Sequence, residues 1–227
     1  MIPVRDTIAS KGIAFITLSL IMLNAVVFIE EVRIGPEIIQ LYSASPLDIL
    51  MWLTKGKGNL IGIHKAIFIS GFMHGGYIHF FGNMLFLYVF GPGVEKAFGR
   101  LRYALFYCIA IFVAFYTHAI IYPHSDIPII GASGAIAAVM GSYLIFYPRA
   151  RVVTIIPIFF FIEIVKIPSV IFMIGWFILQ GANGLLSIGT QTPIAWWAHI
   201  GGFIMGVLVG LRYRLFKGKN HSRIYQV

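Results

Sequence analysis

Six apolar runs, each close to the length needed to cross a bilayer as a helix, recur along this chain of 227 residues. They cover about residues 13–29, 76–90, 103–122, 133–147, 168–186 and 194–216. A hydrocarbon core about 30 Å thick takes about 20 apolar residues in helical form. Backbone polar groups in lipid must be satisfied internally, so runs of this length read as helices. The second and fourth runs are short for a full crossing, as expected where a polar cavity reaches a bundle from one side. Composition agrees, with 59% hydrophobic and 11% charged residues, against about 45–50% and about 25% in a soluble domain. A soluble enzyme, a disordered chain and a secreted disulfide scaffold are thereby excluded. The single cysteine, Cys108, lies in an apolar run and reads as a small hydrophobe. The expected fold class is an all-α polytopic bundle of six transmembrane helices with a long outer first loop. We read one domain over 1–227, with a core at about 13–212 and a basic tail at 213–227.

Seventeen Lys and Arg against eight Asp and Glu leave a net charge of +9. The charges are too few, and too scattered between apolar runs, for a nucleic-acid partner. Lys and Arg are instead retained on the cytoplasmic side of a membrane protein. With the N-terminus in the cytoplasm, Arg5, Lys11, Lys96, Arg100, Arg102, Arg149, Arg151, Lys166, Arg212, Arg214, Lys217, Lys219 and Arg223 all fall inside. Only Arg33, Lys55, Lys57 and Lys65 fall outside, all in one loop. This asymmetry predicts a multi-pass protein of the cell membrane with both termini cytoplasmic and lipid as its surroundings. The first run ends Val-Phe-Ile-Glu-Glu without a small-residue cleavage site and reads as a retained anchor.

Two connecting segments are unusual. Within 32–75, Ser45 before Pro46 reads as the N-cap of a short helix at the outer interface. Residues 153–167 are apolar but hold Pro157, Glu163 and Lys166. A seventh crossing there would place the basic tail outside, so the segment is expected to be an inner interfacial or re-entrant piece.

Polar residues within apolar spans point to function. Three clusters open the second, fourth and sixth runs: His74-Gly75-Gly76-Tyr77-Ile78-His79-Phe80-Phe81-Gly82-Asn83, Gly131-Ala132-Ser133-Gly134, and Ala198-His199-Ile200-Gly201-Gly202. Those runs all pass from outside to inside, so the clusters share one depth near the outer surface. With a step of about 100° per residue, His199 shares a face with Gly202, Gly206 and Gly210, and Ser133 with Ala137 and Gly141. Small residues at such spacing let membrane helices meet backbone to backbone. If these faces meet, Ser133 and His199 come within hydrogen-bonding reach. A serine hydroxyl becomes a nucleophile when a neighbouring base takes its proton, and neutral histidine suits that task. His79 and Asn83, four apart on one helix face, together with the Ser133 N–H at a helix start, can donate to an oxyanion. None of the eight acidic residues is expected inside the bundle at that depth, so a dyad is predicted.

The chain resembles the rhomboid intramembrane serine proteases. The resemblance lies in His74, His79 and Asn83 of the second run, in Gly131-Ala132-Ser133-Gly134, and in Ala198-His199-Ile200-Gly201-Gly202 followed by Gly206. Gly91-Pro92-Gly93-Val94-Glu95-Lys96-Ala97-Phe98-Gly99 is similar to the family's turn after its second helix. The resemblance spans about 13–212 and implies six helices around a water-filled cavity open to the outer side. It implies cleavage of single-pass transmembrane substrates within or beside the membrane. Ser133 is implied as nucleophile and His199 as base, with His79 and Asn83 at the oxyanion. His74, Gly131 and Gly134 are implied as structural support, and no metal or cofactor is needed. A gate of the second and fifth helices, capped by 187–193, is a further expectation, as Gly181, Gly184 and Gly189 make that region pliable. Two positions depart from the family. No Trp-Arg pair occurs in 32–75, and Ala137 stands four after the serine, where many members carry an aromatic ring beneath the imidazole. Tyr143 or Phe203 is left to supply that ring.

Taken alone, Ser133 reads as a packing residue or helix cap, and His79 and Asn83 as an interhelical hydrogen bond. Among other functions, a metalloenzyme on His74, His79 and His199 is disfavoured, because His74 and His79 are five apart and no HExxH occurs. A transporter is disfavoured by the lack of an internal repeat. A catalytically dead relative is disfavoured by the presence of both Ser133 and His199.

Overall fold

The computed structural model describes residues 1–8, 12–56, 59–158, 161–190 and 194–217. The elements in chain order are β1 (Ile2–Asp6), α1 (Phe15–Ile34), α2 (Glu37–Tyr42), α3 (Pro46–Lys55), α4 (Leu60–Ser70), α5 (Tyr77–Phe98), α6 (Arg100–Ile121), α7 (Ser133–Phe146), β2 (Arg151–Ile158), β3 (Phe161–Pro168), α8 (Ser169–Leu186) and α9 (Trp196–Lys217). The architecture is a mostly helical bundle in which α1, α5, α6, α7, α8 and α9 fall on the six apolar runs. Among the described residues, α1, α6 and α8 are long and apolar enough by composition to cross a membrane. Large apolar side chains such as Met22, Ile78, Leu105, Ile171 and Leu208 are exposed, as suits a lipid-facing surface.

The bundle is built around α7, whose residues from Gly134 to Tyr143 are all buried. Its glycine and alanine face lies on α9 with the two backbones in direct apposition. A methyl group added at Gly202 or Gly206 would overlap the carbonyl oxygens of Gly134 and Ala138, and one at Gly141 would overlap that of Phe203. Ser142 Oγ donates to the Gly206 carbonyl at 2.8 Å. Side chains removed from such a seam let dispersion contacts act over the whole helix length, which is how helices associate where lipid removes the hydrophobic drive.

Three local expectations are corrected. Of the segment expected to be an inner interfacial or re-entrant piece, 153–158 and 161–167 lie in two strands, so it is not re-entrant. β1, β2 and β3 form an antiparallel sheet in that order, with Ile2 opposite Ile155 and Arg151 opposite Pro168. The β-branched runs Val152-Val153-Thr154-Ile155-Ile156 and Ile164-Val165 favour a pleated backbone. Pro157 lies beyond the end of β1, where its missing N–H costs no bond to that strand. The all-α expectation therefore omitted this sheet. Next, residues 91–99 are not a turn. α5 runs on through Pro92 to Phe98, so the second run is not short, and the chain turns at Gly99 with φ 81°. Finally, the segment 32–75 holds α2 and α4 in addition to the expected short helix, which is α3. The Ser45 cap is present as a capping box with Asp48, and α4 starts at its own cap, Asn59. The supposed outer cap over 187–193 extends into residues outside the described ones.

Two acidic side chains tie the N-terminal elements to the bundle. Glu95 of α5 is 4% exposed and accepts from the N–H groups of Ile16 and Thr17 at 3.0 and 2.8 Å and from Thr17 Oγ1 at 2.8 Å. It satisfies orphan donors at the start of α1 and complements that helix's dipole. Asp6 of β1 accepts from the Tyr143 hydroxyl at 2.6 Å. Burial pushes its carboxyl above the usual range, and the Tyr143 bond opposes the shift.

Candidate active site

Ser133 is the first residue of α7, and the loop before it is held from two sides. Gly131 N–H donates to the Ser70 carbonyl at the end of α4 at 2.9 Å, and Ala44 bridges Ile129. Gly131 has φ 124°, a conformation that L side chains rarely adopt. A Cβ there would also sit 3.0 Å from the His79 ring and 3.4 Å from Ser133 Oγ. Gly134 packs against α6, where an added methyl would meet Ala114 Cβ at 2.5 Å. Both glycines thus serve close approach around the serine.

His199 lies in the first turn of α9. Its Nε2 is 2.7 Å from Ser133 Oγ, and its Nδ1 is 2.7 Å from Gln180 Oε1 on α8. The carbonyl-type oxygen of Gln180 can only accept, so this pairing calls for the imidazole proton on Nδ1. Nε2 then carries the lone pair that accepts the serine hydroxyl. The rings beside His199 are Trp176, at 6.1 Å, and Trp196, edge-on at 6.0 Å. Tyr143 does not supply the ring left open by Ala137. It packs on Phe90 and Tyr147 and bonds Asp6. Phe203 packs on Trp176 and Phe177, behind the indole that flanks the imidazole.

His79 and Asn83 lie in the first two turns of α5. His79 Nδ1 accepts from the Gly75 N–H at 3.3 Å, which leaves the proton on Nε2. That side of the ring borders Gly131, next to Ser133 Oγ. The Asn83 Nδ2 amide is buried with no hydrogen-bond partner among the described residues. A buried unpaired donor costs about 1–3 kcal/mol, so its presence calls for an explanation.

His74 is 2% exposed and stands edge-on to His79 at 5.2 Å and Phe80 at 5.4 Å. Its backbone N–H donates to both carboxylate oxygens of Glu31 at 3.0 Å. Glu31 is 7% exposed and was missed in the sequence. Its signal was there: Leu20, Asn24, Phe28 and Glu31 recur at helical spacing on the buried face of α1. Glu30, one step round the helix, pairs instead with exposed Arg33. Gln180 was missed as well, since a single amide in an apolar helix has no sequence pattern. Among the described residues, no three His, Cys, Asp or Glu side chains are grouped to hold a metal.

A sequence model described as the Rhomboid domain matches residues 64–216, which contain Ser133, His199, His79, Asn83, His74 and Gln180, while Glu31 precedes it. The chain is 28% identical over 181 residues to RHOMBOID-like protein 4 of Arabidopsis thaliana, covering 80% of this chain and 40% of that one. It is 28% identical over 231 residues to Rhomboid protease AarA of Providencia stuartii, covering 92% and 76%. RHOMBOID-like protein 1 of Arabidopsis thaliana is 27% identical over 204 residues, covering 86% and 46%. The chain thus spans less than half the length of the two plant relatives and about three quarters of the bacterial protease. The buried helix seam, the serine at the head of its central helix and the matched domain converge on one conclusion: this chain belongs to the rhomboid family.

Proposed function

We propose that this protein is an intramembrane serine endopeptidase that cleaves single-pass transmembrane proteins near the outer side of the cell membrane. The observation that carries this reading is the 2.7 Å pairing of Ser133 Oγ with His199 Nε2; it is supported by the Asn83 amide, one turn along α5 from His79, which is buried without a hydrogen-bond partner among the described residues. The charge asymmetry supports six crossings of one domain with both termini cytoplasmic.

The chemistry follows from the donor set. Ser133 Oγ attacks the scissile carbonyl carbon while its proton passes to His199 Nε2. The carbonyl oxygen becomes an oxyanion and receives hydrogen bonds from the Ser133 N–H, His79 Nε2–H and Asn83 Nδ2–H. Collapse expels the amine, which takes the proton from the imidazolium. Water then repeats the sequence on the acyl-enzyme, and no cofactor takes part. His74 and Glu31 act one layer out, fixing the turn into α5 that presents His79.

Labelling of the vesicle-reconstituted protein with a fluorophosphonate tests the assignment. The adduct is expected on the peptide containing Ser133. Active protein that labels at a different residue overturns it. Asn83→Ala is expected to lower kcat on the order of 10²-fold with KM within about twofold, because the donor acts on charge that develops only in the transition state. A change confined to KM would make Asn83 a substrate-binding residue.

A further inference from the structure

We propose that Gln180 is the positioning residue of the catalytic base, a neutral third member that holds His199 in the tautomer Ser133 needs. This inference rests on the Ser133–His199 reading above. Gln180 is 6% exposed on a helix that otherwise turns large apolar residues such as Ile171, Ile178 and Leu179 outward. Burying a primary amide is costly unless it is hydrogen-bonded, and its oxygen meets His199 Nδ1 at 2.7 Å. That is as short as the bond from the other ring nitrogen to the serine.

One consequence is electronic. A neutral imidazole has one N–H and one lone pair, in either of two tautomers. An acceptor at Nδ1 stabilises the Nδ1–H form and leaves Nε2 free to take the hydroxyl proton. With that acceptor gone, the Nε2–H form presents a donor to Ser133 and cannot act as its base. The other consequence is orientational. The bond at Nδ1 and the one at Nε2 fix the ring at both nitrogens, with the indoles of Trp176 and Trp196 at 6.1 and 6.0 Å. Gln180 also avoids placing an ionised carboxylate at membrane depth, where an uncompensated charge is expensive. The site therefore needs no acid to orient the base.

The test uses the full-length protein in lipid vesicles with a single-pass substrate. Gln180→Leu, close in size and without the acceptor, is expected to lower kcat at least about 10²-fold with KM within about twofold. Gln180→Glu keeps an acceptor oxygen and is expected to return at least a tenth of the parent rate. A Glu variant as slow as the Leu variant counts against the acceptor role. Nitrogen-15 NMR of the His199 ring, assigned by difference from His199→Gln, is expected to show a protonated Nδ1 in the parent and a shift towards protonated Nε2 in Gln180→Leu. A parent ring already protonated on Nε2 overturns the proposal, whether or not the Leu variant folds. So does a Gln180→Leu enzyme with unchanged kcat in the same assay in which Ser133→Ala is inactive; there the dyad survives and only Gln180 loses its role. If Ser133→Ala still cleaves, the dyad itself has failed.

Discussion

Ser133→Ala is expected to abolish cleavage of a reconstituted single-pass substrate, a fall on the order of 10⁶-fold where covalent chemistry rests on one nucleophile. The fold should survive, since only the hydroxyl and its bond to His199 Nε2 are lost. His199→Ala is expected to be equally inactive, because residues that act as one unit give non-additive losses. The double variant should be no slower than either single one. Thermal unfolding measured alongside the rates separates lost chemistry from lost structure. Normal cleavage by Ser133→Ala would show that the 2.7 Å contact is a helix-cap and packing feature, with the reaction carried elsewhere.

Adding one methyl group at Gly206 is expected to be the most destabilising small change in the bundle. An alanine Cβ there would overlap the backbone of Ala138, which belongs to the buried Gly134–Tyr143 stretch of the central helix and cannot give way as a flexible side chain can. Overpacking of a rigid seam costs about 1–3 kcal/mol and can exceed that. Relief requires α7 and α9 to part. These helices carry Ser133 and His199, so activity should fall together with stability. Gly175→Ala in α8 is the matched control, since nothing lies within 4 Å of its added Cβ. There the same methyl group should be neutral or stabilising by up to about 1 kcal/mol, through helix propensity and reduced freedom of the unfolded chain. Equal effects at the two positions, read as unfolding midpoints in one detergent, would mean that the α7–α9 seam accommodates a methyl group without parting.

Residue order and spacing alone determined the membrane class and put the three polar clusters at the heads of apolar runs. They also singled out the glycine faces of the fourth and sixth runs. These properties follow from local physics: apolar length, the retention of basic residues and the 3.6-residue turn are all written in consecutive residues. The Ser45 cap was legible for the same reason, since its partner Asp48 is three residues away. Helical spacing tells which residues share a face, but not which neighbour that face will meet, nor at what height. Gln180 meets His199 across 19 residues, and Glu31 meets the His74 backbone across 43. β1 pairs with β2 across most of the bundle's sequence, Ile2 lying opposite Ile155. Pro92 reads as a turn locally, yet α5 continues through it because helical structure there lets Glu95 reach the start of α1. The pattern selected the candidate groups; only the packing of helices about α7 decided which atoms touch, because tertiary contact depends on the rotation and height of each helix, which no local period encodes.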